Sequence, residues 1–146
     1  MAFNSIKLKN YSDHIEELIA AGTITPGMLV ERDSSNEVQA HSTAAGNAMP
    51  MFALEDSLQG EDIDTDYAAD DPVQVWVPFR GDQVYAILAD GNNVTNGDWL
   101  ESDGNGYLQV HEADSGTGAI VPMGIVAQAL EDLDLSDSSG AESSGA

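Results

Sequence analysis

The phrase "VTNGDWLESDGNGYLQVH", residues 94–111, nearly repeats "ITPGMLVERDSSNEVQAH", residues 24–41. The two align without a gap, Ile24 on Val94, 70 positions apart. Thr25/Thr95, Gly27/Gly97, Glu31/Glu101, Asp33/Asp103, Gln39/Gln109 and His41/His111 are identical pairs. Ile24/Val94 and Val38/Leu108 are conservative ones. A chain of 146 residues is one domain, or one domain with tails. Both copies must therefore serve inside one body. Each reads as turn, strand, tight turn, strand, which is a β-hairpin. The first has Met28-Leu29-Val30, the turn Ser34-Ser35-Asn36, then Val38-Gln39-Ala40-His41. The second has Trp99-Leu100, the turn Gly104-Asn105-Gly106, then Leu108-Gln109-Val110-His111. Gly27 and Gly97, ahead of each apolar run, permit a turn with positive φ. The glycine-rich second turn predicts a tighter tip.

The repeat extends more loosely. A Pro-Met pair follows each copy, Pro50-Met51 and Pro122-Met123. Then come Phe52-Ala53-Leu54 and Gly124-Ile125-Val126-Ala127, and each run ends in an acidic pair, Glu55-Asp56 or Glu131-Asp132. This predicts a third strand per unit, with a slipped offset. Between the copies, residues 55–71 carry eight acids in 17 positions and no base, which reads as a solvated loop. "VQVWVPF" and "QVYAILA" follow as strands, Val73, Val75 and Val77 alternating with Gln74, Trp76 and Pro78. Pro78 marks an edge or a bulge.

Asp13 and Glu16 have capping-box spacing, Ile15, Leu18 and Ile19 fall on one helical face, and Gly22 suits the position after a helix. A short helix is expected over 13–21. The fold class expected is mainly β: a small β-barrel or β-sandwich with two hairpin repeats and one short N-terminal helix. Residues 1–10 form an N-terminal arm, 11–131 the β-barrel domain and 132–146 an acidic tail, disordered by composition from Ser136.

Charge narrows the function. There are 26 acids against 4 bases, a formal charge of −22. Such a charge repels itself and destabilises the compact state in dilute salt. At 1 M salt the Debye length falls to roughly 3 Å and relieves it. Scarce lysine with surplus Asp and Glu points to a hypersaline setting, with a calcium-rich surface or a mimic of nucleic acid as the competing readings. Nucleic acid is not an expected partner, because phosphate binding needs clustered Lys and Arg. No apolar run reaches about 18 residues, so no helical membrane span is expected, and the first residues lack the apolar stretch of a signal peptide. With no cysteine there is no disulfide, thiolate metal site or cysteine nucleophile.

No constellation points to catalysis. Asp62, Asp64 and Asp66 have the opening spacing of a calcium loop, but Tyr67 stands at the glycine position and Val73 at that of the bidentate glutamate. "DGNGY", 103–107, reads as a hairpin turn. His41 and His111 are repeat equivalents rather than a shared metal site. "RGD", 80–82, is a turn between strands. No nucleophile elbow, phosphate loop or paired-histidine zinc motif occurs. Neither an enzyme nor a cofactor is expected.

Four phrases in order, "GTITPGMLVE" (22–31), "FALEDSLQGEDIDTDYAADDPVQV" (52–75), "GDQVYAILADGNNVTNGDWLESDGNGYLQV" (81–110) and "GIVAQALE" (124–131), resemble the capsid decoration, or cement, proteins of tailed phages. The resemblance covers about three quarters of the chain. It implies a small β-barrel or β-sandwich on the outer surface of an icosahedral virion. The implied partners are the major capsid protein and further copies of the chain, often as a trimer at local threefold positions. The acidity and the Ser/Gly/Asp/Glu tail depart from the family and fit a virus of a haloarchaeon.

On this reading the positive arm, with Phe3, Ile6, Lys7, Leu8 and Lys9, contacts the shell or a neighbouring subunit. Trp76, Phe79 and Arg80 are further contact candidates. Trp76, Phe79, Trp99 and Tyr107 are large enough to be core residues or, if exposed, interface anchors. A capsid spike or fibre subunit and an acidic DNA-mimic inhibitor are the rival readings.

Overall fold

The computed structural model describes residues 4–11, 13–112 and 124–137. Phe3, the Pro122-Met123 pair and the tail beyond Asp137 lie outside the described residues. Twelve short strands are assigned: β1 (Lys7–Lys9), β2 (Ile15–Ile19), β3 (Val30–Arg32), β4 (Val38–Ala40), β5 (Phe52–Ala53), β6 (Pro72–Trp76), β7 (Gln83–Val84), β8 (Asn93–Val94), β9 (Trp99–Ser102), β10 (Leu108–Val110), β11 (Ile125–Gln128) and β12 (Leu133–Asp134). They form several small sheets, ordered β2-β6-β5, β10-β9-β11, β3-β4, β12-β8 and β1-β7. The molecule is mainly β, and among the described residues no sheet closes into a barrel.

The repeat is geometrically real. In β3-β4, Val30 faces Ala40, Glu31 faces Gln39 and Arg32 faces Val38. In β9-β10, Leu100 faces Val110, Glu101 faces Gln109 and Ser102 faces Leu108, the same register 70 positions on. The turns match too. Asp33 N–H donates to Glu37 O and Asp103 N–H to Tyr107 O. The Asp33 carboxylate accepts from the N–H of Ser35 and Glu37, and the Asp103 carboxylate from those of Asn105 and Tyr107. Gly27 and Gly97 have φ of 92° and 96°, as the turn requires of a residue without Cβ.

The third segment also repeats, with a correction to its alignment. Gly27 N–H donates to Ala53 O at 2.8 Å, and Gly97 N–H to Ala129 O at 2.9 Å. Ala53 N–H donates to Met28 O, and Ala129 N–H to Asp98 O. Ala53 therefore corresponds to Ala129, and the tetrapeptide Ala-Leu-Glu-Asp recurs at 53–56 and 129–132. A fourth segment returns to the start of each unit: Tyr67 pairs with Ile24, and Leu133 with Val94. The acidic stretch 57–66 is thus an insertion in the first unit alone.

The expected helix over 13–21 is a strand. β2 pairs with β6 over five residues, Ile15 facing Trp76 through Ile19 facing Pro72. A lone helix of nine residues is marginal in water. Here β6 has an edge to be paired, and Ile15 and Ile19 are β-branched. Tertiary pairing overrode the local capping signal. The tail boundary also shifts: β12 and buried Leu135 belong to the body, because Leu135 N–H and O bond to Asn92 and Gly91 and its side chain fills a core.

Two main cores result. The first unit closes around Ile24, Val30, Val38 and Ala53, sealed by Val73 and Val75 of β6. The second gathers Val94, Leu100, Leu108 and Ala129, and borrows Leu29 and Phe52 from the outer face of the first. A third, smaller cluster holds Ile6, Leu54 and Trp76.

Candidate contact surface

The two units meet through the second hairpin tip. Gly106 sits between the strands of the first hairpin: Leu29 N–H donates to Gly106 O at 2.8 Å, and Gly106 N–H donates to His41 O at 3.1 Å. A Cβ on Gly106 would lie 3.0 Å from the Ala40 Cβ, and one on Gly104 would lie 2.8 Å from the Ala44 nitrogen. The glycines expected to tighten the second turn leave it closed like the first, and instead let two backbones touch. Beside them, His41 is buried, with Nδ1 2.8 Å from Ser102 Oγ and Nε2 3.1 Å from Asn47 O. Ser102 replaces the first unit's Arg32, which pairs at the surface with Glu16.

Each unit carries a Glu-Gln-His set on one face of its hairpin. Glu31 Oε1 accepts from Gln39, from Ser42 N–H and from the Ser42 hydroxyl at 2.6 Å. Burial pushes the Glu31 carboxyl up, but the Ser42 and Gln39 bonds and His41 outweigh it and hold it below the usual carboxylate range. In the second unit, Glu101 accepts from Gln109 and lies 2.5 Å from His111 Nδ1. These sets brace strand ends. Among the described residues no group of three or more potential ligands is placed to hold a metal ion. Asp62 accepts from the N–H of Asp64 and the Thr65 hydroxyl in a turn. Tyr67 is buried with its hydroxyl on Leu54 O, and its pKa is pushed up to about 12 by burial.

Among the described residues, an apolar groove of about 500 Å³ lies over the second core. Its floor includes Val94, Leu100, Leu108 and Ala129, and its rim Leu8, Phe79 and Leu130. Phe79 is 67% exposed and Leu130 59%. Arg80, Asp82 and Glu131 supply its charged groups. Asp82 is already committed to structure: its carboxylate accepts from Tyr11 N–H and Phe79 N–H, both at 2.7 Å. The Arg-Gly-Asp stretch is a braced turn.

The expected contact residues divide. Leu8, Phe79 and Arg80 converge on the groove. Ile6 and Trp76 are buried and hold the body together, so neither offers a docking surface. The arm is part of the fold: Tyr85 N–H donates to Ile6 O, and β1 pairs with β7. Lys7 is engaged by Asp13 at 2.9 Å, and Lys9 lies over the Tyr11 ring. Sequence reasoning missed Val126, Leu130 and Leu133 as groove residues. The repeated Ala-Leu-Glu-Asp was the available signal, since it equates Leu130 with Leu54.

No protein-family model matches the chain, and no curated protein matches it significantly. The functional reading rests on the geometry above and on the sequence phrases.

Proposed function

We propose that the chain is a structural virion protein that decorates the outer surface of an icosahedral capsid and stabilises it by bridging major capsid subunits. It performs no catalysis. The observation that supports the reading is the apolar groove beside β11, the end strand of its sheet, a lining that suits contact with a partner better than a reaction. Of its acids, Asp82 is held by two N–H groups in the turn. A protein that binds only the assembled shell stabilises it by mass action. The trimeric assembly follows from the phrase resemblance, and the haloarchaeal host from the acidity that departs from it. The exposed acids of 57–66 suit a face turned to brine.

The test is to locate the chain on purified virions by imaging, then strip it and add it back. A regular density between capsomers, and shells that survive higher temperature after add-back, are expected. Absence from the particle overturns the proposal, and a location confined to spikes or fibres transfers it to that rival. A DNA-mimic role would appear as saturable binding to a DNA-binding protein in competition with duplex DNA.

A further inference from the structure

In the first unit, the third segment is paired on both sides. Inward, Ala53 N–H donates to Met28 O. Outward, Phe52 faces Trp76, Ala53 faces Val75, and Leu54 N–H donates to Gln74 O at 2.8 Å. β6 thus lies between β5 and β2 and drives Val73 and Val75 into the first core.

The second unit has the same inward bond, Ala129 N–H to Asp98 O. Among the described residues its outward side is open. β11 ends its sheet, and Leu130 N–H, the counterpart of Leu54 N–H, has no hydrogen-bond partner among the described residues. The far wall is also duplicated. Ala20, directly after β2, bridges parallel to Val38, and Leu88 bridges parallel to Leu108. Residues 84–88 therefore stand where β2 stands. The groove runs between 84–88 and 126–130, over Val94, Leu100, Leu108 and Ala129. These are the counterparts of Ile24, Val30, Val38 and Ala53, which in the first core pack with Val73 and Val75.

We propose that this groove is the seat of a strand the second unit lacks, and that it binds an extended segment of another protein. The segment pairs antiparallel to β11 as β6 pairs with β5. It carries branched apolar side chains at alternate positions, as Val73 and Val75 do, and basic residues at its flanks. Strand addition of this kind draws affinity from main-chain bonds and specificity from alternate side chains in pockets. A volume of about 500 Å³ is in the range of sites that bury a ligand this size. Natural edges are blunted by charge or proline, and Gln128 and Leu130 supply neither. A second copy is the poorer occupant. Its own β6 is held between β2 and β5, and it would bring another −22 of charge to a surface already at −22. A basic-flanked segment gains from that same field. The inference holds whether or not the donor is a capsid subunit.

The probe is a synthetic peptide, Pro-Val-Gln-Val-Trp-Val with two lysines at each end, titrated into the full chain in molar KCl. Expected are saturable binding and a slowing of Leu130 amide exchange by about tenfold or more. A scramble that sets the two central valines side by side fails to bind. Leu130→Pro removes the N–H and weakens binding at least about tenfold, and Ala129→Phe, which fills the groove while keeping the N–H, does the same. Should the proline variant misfold, Ala129→Phe decides. No saturable binding to the wild-type chain, or undiminished binding by folded variants, overturns the proposal. So does slow Leu130 exchange in the peptide-free monomer, which would mean that the chain fills its own seat. A concentration-dependent dimer with equal protection would assign the seat to a second copy and overturn it as well.

Discussion

Leu29 and Trp99 hold the same position in two copies of one unit, yet Leu29 is fully buried and Trp99 is 53% exposed. The inner positions diverge the same way. Val30, Val38 and Ala53 are exposed by at most 1%, while Leu100, Leu108 and Ala129 reach 8, 4 and 7%. The first unit is covered on both faces, by β6 on one and by the second unit on the other. The second closes its core by leaning on the first, and among the described residues is left open beside β11. Duplicating a segment reproduces its hydrogen bonds but not its neighbours. Where neighbours differ, residues differ: Arg32 at the surface against Ser102 at the junction, Asn36 at a free tip against Gly106 at a clamped one.

The largest effect expected is at that clamp. Gly106→Val places a β-branched residue at φ 84° with Ala40 already at contact, and should cost about 3–5 kcal/mol by denaturant unfolding. Asn36→Gly, its counterpart, should change stability by less than about 0.5 kcal/mol. Equal losses would mean the tips are not unequal. Next comes salt. Raising KCl from dilute to molar should stabilise the chain by about 3 kcal/mol, roughly 10 °C in Tm for this size. Amide exchange should then show Leu100 and Leu108 opening before Val30 and Val38 at low salt. A flat Tm removes the hypersaline inference, and simultaneous opening removes the inequality of the cores.

A chemically matched pair sharpens the comparison. Ala53→Ser buries a hydroxyl in a sealed core and should cost about 1–3 kcal/mol. Ala129→Ser faces the groove and should cost under about 0.5 kcal/mol. The smallest effect is that of Glu31. Its lowered pKa means a contribution present above its ordinary value of 4.5 and lost as pH falls through the folded value. Glu31→Gln should therefore cost under about 1 kcal/mol at pH 7, given its partial exposure, and nothing in acid. A difference that persists to pH 2 would refute the assignment.

Much of the local structure was legible. The hairpins, their register and the positive φ at Gly27 and Gly97 follow from turn residues and alternation, which act over a few positions. The third segment was legible in part, because its offset slips past an insertion that a fixed spacing cannot follow. The helix misread at 13–21 shows the limit: Asp13 and Glu16 state a local preference, and nothing nearby reveals that β6 needs a partner 57 positions away. Ile6 was expected at a contact, and Trp76 at a contact or in the core; both are buried. An apolar residue looks alike in sequence whether it anchors a partner or fills a core.

The amino-acid order by itself determined that one unit is used twice, where each hairpin turns, and that the chain carries a formal charge of −22. These depend on backbone conformations and counts that neighbours in sequence settle. Only the tertiary structure decided which copy is sealed and which, among the described residues, is open. Burial depends on what packs from outside a segment, and among the described residues β6 completes the first unit and no strand does the same for the second.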